Sequence, residues 1–326
     1  MKAITMTQFG APNVLTLSDI PRPIISSEQL LVKVHAIGVN RADILQRRGK
    51  YPPVPGDSDI LGLEIAGTIV TVGDNVVDWR VGDKVFGLVG GGAYAEYCLL
   101  DSQMAMKIPD NWSFEQAAAV PEVFMTANET IFELGQLQQG ETLLLHAAAS
   151  GVGTAALQMA KYIGAAVIAS VSNENKKASI KKLGADFVIN YKKENLFAKC
   201  FEYTNQLGVD VIEDFIGAEY LQQHLALLKM NGRLILVALM RGSEALFDMR
   251  LVLKKRLQIK GSVMRTRTLS DKREITQRFV KRWLPILQQG SIHPVVDKVF
   301  SFDEVAKAHE YMEANKNIGK IILTVS

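Results

Sequence analysis

Cysteine is nearly absent from this chain of 326 residues, where Cys98 and Cys200 stand alone. Two isolated thiols exclude a disulfide framework and leave no Cys-x-x-Cys pair for structural zinc. Histidine is almost as sparse, with residues 35, 146, 224, 293 and 309 showing no close pairing. No apolar run approaches the roughly 18 residues of a membrane span. The opening Met1-Lys-Ala-Ile-Thr-Met-Thr7 alternates like a strand and lacks the apolar core of a signal peptide. Charge of one sign is missing too. Lys and Arg number 37 against 34 Asp and Glu, an evenly spread +3 that suits no polyanionic partner. Repeats and low-complexity stretches are absent. A reducing, cytoplasmic setting is the expectation these absences leave.

Hydrophobic residues make up 48% of the chain, ample for burial, and the length suits one or two domains. The most informative stretch is Glu141-Thr-Leu-Leu-Leu-His-Ala-Ala-Ala-Ser-Gly-Val-Gly-Thr-Ala-Ala156. A short apolar run reads as a strand, stops at tiny residues and continues as a helical pattern through Tyr162. Dinucleotide-binding βαβ units begin this way, because small residues let the backbone approach a pyrophosphate at a helix N-terminus. Against G-x-G-x-x-G the chain places Ala148, Ser150 and Gly153, with an extra Gly151, a weak match when taken alone.

Its context is stronger. Ala165–Val171 reads as a second strand, so strand, turn, helix and strand fit the length of one βαβ unit. Strand candidates follow at 187–191, 209–215, 233–239 and 257–263. Helical patterns at 174–183, 194–206, 218–230 and 247–253 alternate with them. Alternation of this kind predicts a parallel, doubly wound sheet. The first 110 residues differ. Strand-like runs at 30–39, 64–72, 84–89 and 93–100, with one short helix at 41–48, predict a β-rich, barrel-like domain. Helical patterns at 271–289 and 302–314 and a last strand at 320–325 form a tail expected to pack back on that first domain. A cleft between the two domains is then the default binding site.

Together the motifs resemble the quinone oxidoreductase branch of the medium-chain dehydrogenase/reductase superfamily. Gly38-Val-Asn-Arg-Ala-Asp43, Leu61-Gly-Leu-Glu-Ile-Ala-Gly67, Val81-Gly-Asp-Lys-Val85, Ala117-Ala-Ala-Val-Pro121 and Ala148-Ala-Ser-Gly-Val-Gly153 carry the likeness. The end, from His309 to Ile322, is similar to the tumour-suppressor-inducible members of that branch. The resemblance implies an α/β chain: a GroES-like β-barrel catalytic domain over residues 1–121, a Rossmann NADP-binding domain over 122–261, and a C-terminal return over 262–326. A homodimer joined through edge strands of the nucleotide domains is implied as well.

Zinc-dependent alcohol dehydrogenases of the superfamily bind the metal through Cys, His and Cys. At the matching positions this chain has Asn40, Leu63 and Glu122, which do not make a zinc site. Without a Lewis acid to polarise an alcohol, the expectation is a zinc-free reductase of the EC 1.6.5 type, moving hydride from NADPH to a quinone. Quinones and activated enones accept hydride with little help.

NAD-specific sites place an acid at the end of the second strand. Here Val171-Ser172-Asn173 stands there, with Glu174 and Lys176 next, and the resemblance puts Ser172, Lys176 and Tyr191 around a 2′-phosphate. Glu174 is the competing NAD-type acid, and an exposed lysine face is the bland account of Lys176. The remaining cofactor contacts implied are Ser150, Gly151, Val152, Gly153, Thr126, Phe215, Gly217, Leu239, Met240, Asn315 and Lys320. Asn40 belongs beside the nicotinamide. Tyr51 matches a position that lines the substrate pocket as a stacking partner and donates a proton in related enoyl reductases, a part water could also play, or it simply packs over the Pro-rich loop; Arg265 either faces the substrate or lies on the surface. Arg41 and Asp43 are expected to pair on the surface, Glu64 to serve the scaffold, His146 to be a core residue, and both cysteines to be buried.

Two other readings stay open. One is an enone or enoyl-thioester reductase on the same scaffold. The other is a nucleotide-sensing or RNA-binding protein, for which only the basic residues between Lys254 and Arg282 speak, without aromatic platforms.

Overall fold

The computed structural model describes residues 1–325. The chain forms two compact units. The first comprises Met1–Met125, Arg265–Gln289 and the chain from Pro294 on; the second comprises Thr126–Met264 with Gly290–His293.

The first unit opens with an antiparallel ribbon, β1 (Lys2–Thr5) and β2 (Thr16–Asp19). β3 (Gln29–Val39) is the long central strand of a larger sheet, and helix α1 (Arg41–Arg47) follows it at once. Then come β4 (Glu64–Val72), β5 (Lys84–Leu88), β6 (Tyr97–Asp101), β7 (Met106–Lys107) and helix α2 (Phe114–Ala118). β3 is buried along almost its whole length because β4 pairs with one edge while β6 covers part of the other. The strand expected from Ala93 starts only at Tyr97, since residues 92–94 bond to the backbone of residues 60–62 and Ala95 bridges Ala3, with Tyr94 fully buried.

Helix α3 (Pro121–Ala127) runs into a π-helical segment, Asn128–Leu134, that the sequence pattern did not announce. The second unit continues with β8 (Thr142–Leu145), α4 (Gly151–Tyr162), β9 (Ala166–Val171), α5 (Glu174–Lys182) and β10 (Phe187–Asn190). After them run α6 (Leu196–Tyr203), β11 (Val209–Asp214), α7 (Leu221–Leu227), β12 (Leu228–Leu236), α8 (Met249–Lys255) and β13 (Gln258–Gly261). All pairs in this sheet are parallel, in the order β10-β9-β8-β11-β12-β13. This is the doubly wound arrangement whose direction reverses between β8 and β11, where ligands bind outside the carboxyl ends of the strands. The helix expected to reach Met230 stops at Leu227, because Leu228 already pairs with Val209 of β11. Leu144, Ile168, Ile212 and Leu234, one from each of four neighbouring strands, are fully buried in its core.

Past the second unit the chain forms α9 (Leu269–Arg282), α10 (Leu284–Gln288), β14 (Val296–Ser301), α11 (Val305–Glu313) and β15 (Lys320–Thr324). The single helix expected over 271–289 is two, divided at Trp283; Pro285 falls in the first turn of α10, where its missing N–H costs nothing. β15 pairs antiparallel with β3 and parallel with β14, so the tail completes the first unit's seven-stranded sheet.

Candidate functional site

Where β3 ends, Asn40 begins α1, and a buried polar cluster forms around it. The Asn40 amide nitrogen donates to Glu64 Oε1 (2.8 Å) and the Gly38 carbonyl (3.2 Å), while its Oδ1 accepts from Lys320 Nζ at 2.6 Å. Lys320 also donates to Glu64 Oε1 (2.6 Å) and the Val39 carbonyl (3.0 Å). All three ammonium protons of Lys320, a residue expected to contact the cofactor, therefore stay inside the first unit. Glu64, expected in the scaffold, is fully buried and gives its second oxygen to the Glu122 amide at 2.8 Å. Only glycine fits at position 38, since a Cβ there would lie 2.1 Å from Glu64 Oε1.

The surface pair expected of Arg41 and Asp43 does not exist. Asp43 is fully buried and accepts from the Asn40 backbone amide (2.8 Å) and the Tyr94 hydroxyl (3.1 Å). Burial pushes its carboxyl up to about 6. The chain of bonds continues from Tyr94 to His309 Nε2 (2.9 Å), from His309 Nδ1 to Arg47 (3.0 Å), and from Arg47 to Glu313. Arg47 occupies His309 Nδ1 as a donor, so Nε2 carries the ring proton toward Tyr94. Arg41 instead donates to the Met312 carbonyl (3.0 Å) and to Asn315 Oδ1 (2.8 Å). Asn315 follows α11 at a φ of +51°, a backbone position asparagine tolerates.

Tyr51 lies half-buried in the loop after α1, its ring 4.5 Å below the Arg265 guanidinium. Arg265 is neither on the surface nor free to turn. Only 5% exposed, it donates to the Tyr51 carbonyl (2.7 Å), the Pro52 carbonyl (3.3 Å) and Gln46 Oε1 (2.6 Å). Burial, and next the charge of Glu122, raise the Tyr51 phenol above its ordinary value. Burial and then the neighbouring Glu64 push the Glu122 carboxyl up to about 8.

These residues do not fit zinc. Leu63 has no donor atom, both ends of the Asn40 amide are bonded, and the Lys320 ammonium 2.6 Å from Asn40 would repel a divalent cation.

In the second unit, Ala147 takes a φ of +47° and turns the chain from β8 toward α4. Ser150 caps that helix by accepting the Gly153 amide at 3.0 Å, and Gly151 and Val152 open its first turn, whose amides have no intrahelical acceptor. A Cβ on Gly153 would sit 2.5 Å from the Ala147 carbonyl oxygen, so the close packing of helix on loop depends on glycine. Phe215 and Gly217 follow β11, where the Asp214 carboxylate accepts the Ile216 (2.7 Å) and Gly217 (3.1 Å) amides. Leu239 and Met240 lie exposed in the loop beyond β12, which ends three residues earlier than expected. Ser172 follows β9, and Tyr191 follows β10. Lys176 is buried on α5, against the bland account of an exposed lysine face. Glu174 gives its carboxylate to Asn190 Nδ2 (2.6 Å), with Lys193 at 3.6 Å. Thr126 is half-buried, and its carbonyl accepts the Thr130 hydroxyl at 2.9 Å.

Two histidines far apart in the sequence meet in the fold. His146 Nε2 lies 2.8 Å from His224 Nε2 and His146 Nδ1 lies 3.0 Å from Ser170 Oγ, while His224 Nδ1 faces Asp214 at 3.6 Å. A gap of 78 residues hides this pair from the sequence. With Asp214 they form a group of candidate metal ligands. Two nitrogens bound to one tetrahedral ion at about 2.0–2.1 Å each would stand over 3 Å apart, so a separation of 2.8 Å describes a hydrogen bond. Burial pushes His146 down to about 3 and lowers His224 well below the usual range, so both rings are neutral. His146 is thus the core residue expected of it. Cys98 and Cys200 are buried, as expected.

Residues 26–110 match the alcohol dehydrogenase GroES-like domain, and residues 151–281 match the zinc-binding dehydrogenase family. Over 327 aligned residues the chain is 32% identical to the quinone oxidoreductase of Homo sapiens, spanning 99% of this chain and 97% of that one. The chain belongs to the medium-chain dehydrogenase/reductase superfamily. Among solved structures, Escherichia coli quinone oxidoreductase complexed with NADPH is 28% identical with a TM-score of 0.90, each chain covered completely. CurK enoyl reductase is 25% identical with a TM-score of 0.88, covering 100% of this chain and 99% of that one. As a member of this superfamily, the protein is an oxidoreductase. Among the described residues, no helix is long and apolar enough to cross a membrane.

Proposed function

We propose that this protein is a zinc-independent, NADPH-dependent quinone reductase that works as a cytoplasmic homodimer. The observation that carries the reading is full-length similarity to quinone oxidoreductases, joined to a site where Asn40, Leu63 and Glu122 stand in place of metal ligands. Bound NADPH supplies the hydride. Ser150, Gly151, Val152 and Gly153 receive its pyrophosphate at the start of α4, and Phe215, Gly217, Leu239, Met240 and Asn315 complete the cradle. Thr126 and the one unbonded lone pair of Asn40 Oδ1 would orient the nicotinamide carboxamide, and Lys320 would serve by holding Asn40. Tyr51 stacks on the quinone, with Arg265 bracing its loop.

The phosphate specificity rests on Ser172, Lys176 and Tyr191. Glu174, the competing acid, is already engaged by Asn190 and Lys193. A charge-assisted contact is worth roughly 1.5–3 kcal/mol. Lys176→Ala is therefore expected to raise KM for NADPH about 10–100-fold while leaving KM for NADH nearly unchanged. Equal effects on the two cofactors, measured by steady-state kinetics, would remove Lys176 from the site.

The test of the function is NADPH consumption with a panel of ortho- and para-quinones, enones and enoyl-CoA esters, with and without chelator. Turnover of quinones that survives chelation, with negligible enoyl-CoA turnover, supports the reading. Loss of activity on chelation defeats zinc independence. Brisk enoyl-CoA reduction would move the assignment to the second reading, an enone or enoyl-thioester reductase, which the likeness to CurK enoyl reductase favours.

Three of the basic residues behind the nucleic-acid reading are occupied. Lys255 donates to the Ala226 and Leu228 carbonyls at 2.6 and 2.7 Å, Arg265 is buried, and Arg273 bridges Asp101 and Glu28 at 2.6 and 2.7 Å. For the dimer, β13 is an edge strand, and Ile259 on it is exposed. Leu246, Met249 and Leu253, in and before α8, are also exposed apolar residues of the second unit. Sedimentation is expected to give twice the 35.9 kDa chain mass, and a monomer at micromolar concentration would refute the dimer.

A further inference from the structure

Four buried polar side chains join the carboxyl end of β9 to that of β11: Ser170, His146, His224 and Asp214. Ser170 Oγ lies 3.0 Å from His146 Nδ1, and His146 Nε2 lies 2.8 Å from His224 Nε2. The contact between the rings needs a proton on one nitrogen and a lone pair on the other. Each neutral ring carries a single N–H, so the choice made at that contact fixes both tautomers. In one arrangement His224 donates from Nε2. Its bare Nδ1 then sets a lone pair against the Asp214 carboxylate at 3.6 Å. His146 Nδ1–H would meet a Ser170 hydroxyl whose own proton has no acceptor among the described residues. In the other arrangement the protons run one way. Ser170 donates to His146 Nδ1, His146 donates from Nε2 to His224 Nε2, and His224 turns an Nδ1–H toward Asp214. At 3.6 Å this last contact is electrostatic and not a hydrogen bond. Nδ1 has no other partner among the described residues, so the carboxylate is what offsets its burial. Burial pushes the Asp214 carboxyl up to about 6, against the pull of the Ile216 and Gly217 amides, which leaves it ionised at pH 7. Only the second arrangement suits both Ser170 and that charge.

Asp214 is the point from which two loops hang. Its carboxylate accepts the Ile216 and Gly217 amides at 2.7 and 3.1 Å, and its carbonyl accepts the Val237 amide at 2.8 Å. The loops are then joined to each other. Met240 donates to the Phe215 carbonyl (3.1 Å), Arg241 to the Ile216 carbonyl (2.8 Å) and Ala218 to the Gly242 carbonyl (3.0 Å). At the far end of the chain the Ser170 carbonyl accepts the Ala148 amide (3.2 Å), in the turn that leads to α4. We infer that the Ser170–His146–His224 chain, with the His224 proton on Nδ1, is a positioning device: it holds the Asp214 carboxylate, and through it the 215–217 and 239–242 loops, in the geometry that receives the cofactor. The inference rests on the reading given above, in which Phe215, Gly217, Leu239 and Met240 contact NADPH. His224 is fully buried and acts only through Asp214. These loops leave β11 and β12, while Ser172, Lys176 and Tyr191 stand by β9 and β10 on the other side of β8. The device therefore serves NADPH and NADH alike.

The tautomers are read first, by nitrogen-15 correlation spectra of histidine-labelled protein at pH 7 without cofactor, which tell an N–H from a bare ring nitrogen. His146 protonated on Nε2 and His224 on Nδ1 is the expected result. The reverse pattern, or a His224 carrying both protons, overturns the assignment. Cofactor affinity is the second readout. His224→Phe keeps a ring where Phe197 and Tyr220 already pack edge-on, at centroid distances of 5.7 and 5.8 Å, and removes both nitrogens. It should raise Kd for NADPH and for NADH by the same factor, about tenfold, with kcat at saturating cofactor nearly unchanged. His224→Asn places an amide N–H near the former Nδ1 and should recover most of that loss. Wild-type affinity in His224→Phe, a loss confined to NADPH, or no recovery in His224→Asn overturns the proposal. Should His224→Phe not fold, His224→Gln takes its place. Its amide reaches the former Nε2 and not Nδ1, so it should bind both cofactors more weakly than His224→Asn, and equal affinities refute the role of Nδ1. A wild type that binds neither NADPH nor NADH defeats the cofactor reading itself, which is distinct from normal wild-type binding with unaltered variants.

Discussion

Lys320→Met is expected to lower the free energy of unfolding by about 3–5 kcal/mol, the usual cost of removing one partner of a buried ion pair. Glu64 is fully buried and Lys320 only 3% exposed, so water does not replace the lost ammonium. The Glu64 carboxylate would keep two donors, the Asn40 side chain and the Glu122 amide, and Asn40 Oδ1 would lose the Lys320 donor. Methionine has nearly the volume of lysine, so the effect is electrostatic and not a cavity. Adding Glu64→Gln removes the stranded charge and should recover most of the stability, but not the orientation of Asn40; turnover should remain low in both variants. Urea unfolding of the two single variants and the double variant measures the coupling. A loss below 1 kcal/mol in Lys320→Met, or additive effects in the double variant, would show that the cluster is not a closed ion pair.

Glu213→Gln is expected to reshape the dependence of stability on pH. Glu213 lies fully buried near the end of β11, its Oε1 accepting the Thr130 hydroxyl at 2.5 Å and its Oε2 without a partner among the described residues. Burial pushes this carboxyl up to about 8 from an ordinary 4.5. Between those two values the folded protein holds one proton that the unfolded chain has released, so wild-type stability falls as pH rises. The slope from this one group is about 1.4 kcal/mol per pH unit, and it vanishes above pH 8, where both states are ionised. Glutamine mimics the protonated acid and carries no titrating proton. The stability of Glu213→Gln relative to wild type should therefore grow by about 3–4 kcal/mol between pH 5 and pH 8 and then level off. Other buried groups titrate as well. Asp43 and Glu122 act in the same direction, and His146 and His309, held neutral by burial, act in the opposite one. They are common to both proteins and drop out of the difference. A difference that stays constant from pH 5 to pH 9, by urea unfolding, would place an ionised carboxylate at position 213.

Both variants act on residues whose importance local pattern did not reveal. Glu64 appears in the sequence as one acid within a glycine motif, and Lys320 as a basic residue at the head of a final strand. Their distance of 2.6 Å spans 256 residues and exists because β15 pairs with β3 while β4 pairs with the other side of β3. The His146–His224 contact is hidden for the same reason. One ring follows β8 and the other sits on α7, and only the parallel order of the sheet brings them together. Asp43 looked like half of a surface pair because a helical turn leaves its burial undetermined; Tyr94, far along the chain, buries it.

The sequence by itself determined the alternation of strands and helices, the doubly wound class of the second unit, the glycine-dependent start of α4 and the lack of cysteine and histidine at positions 40, 63 and 122. Each of these depends on periodicity, on residue size or on donor chemistry, which are local and survive without coordinates. Tertiary structure alone decided which charges meet, which carboxyls stay protonated and which lysine is spent on the scaffold. Burial and Coulomb interaction depend on distance through space, and residues close in the folded protein lie hundreds of positions apart along the chain.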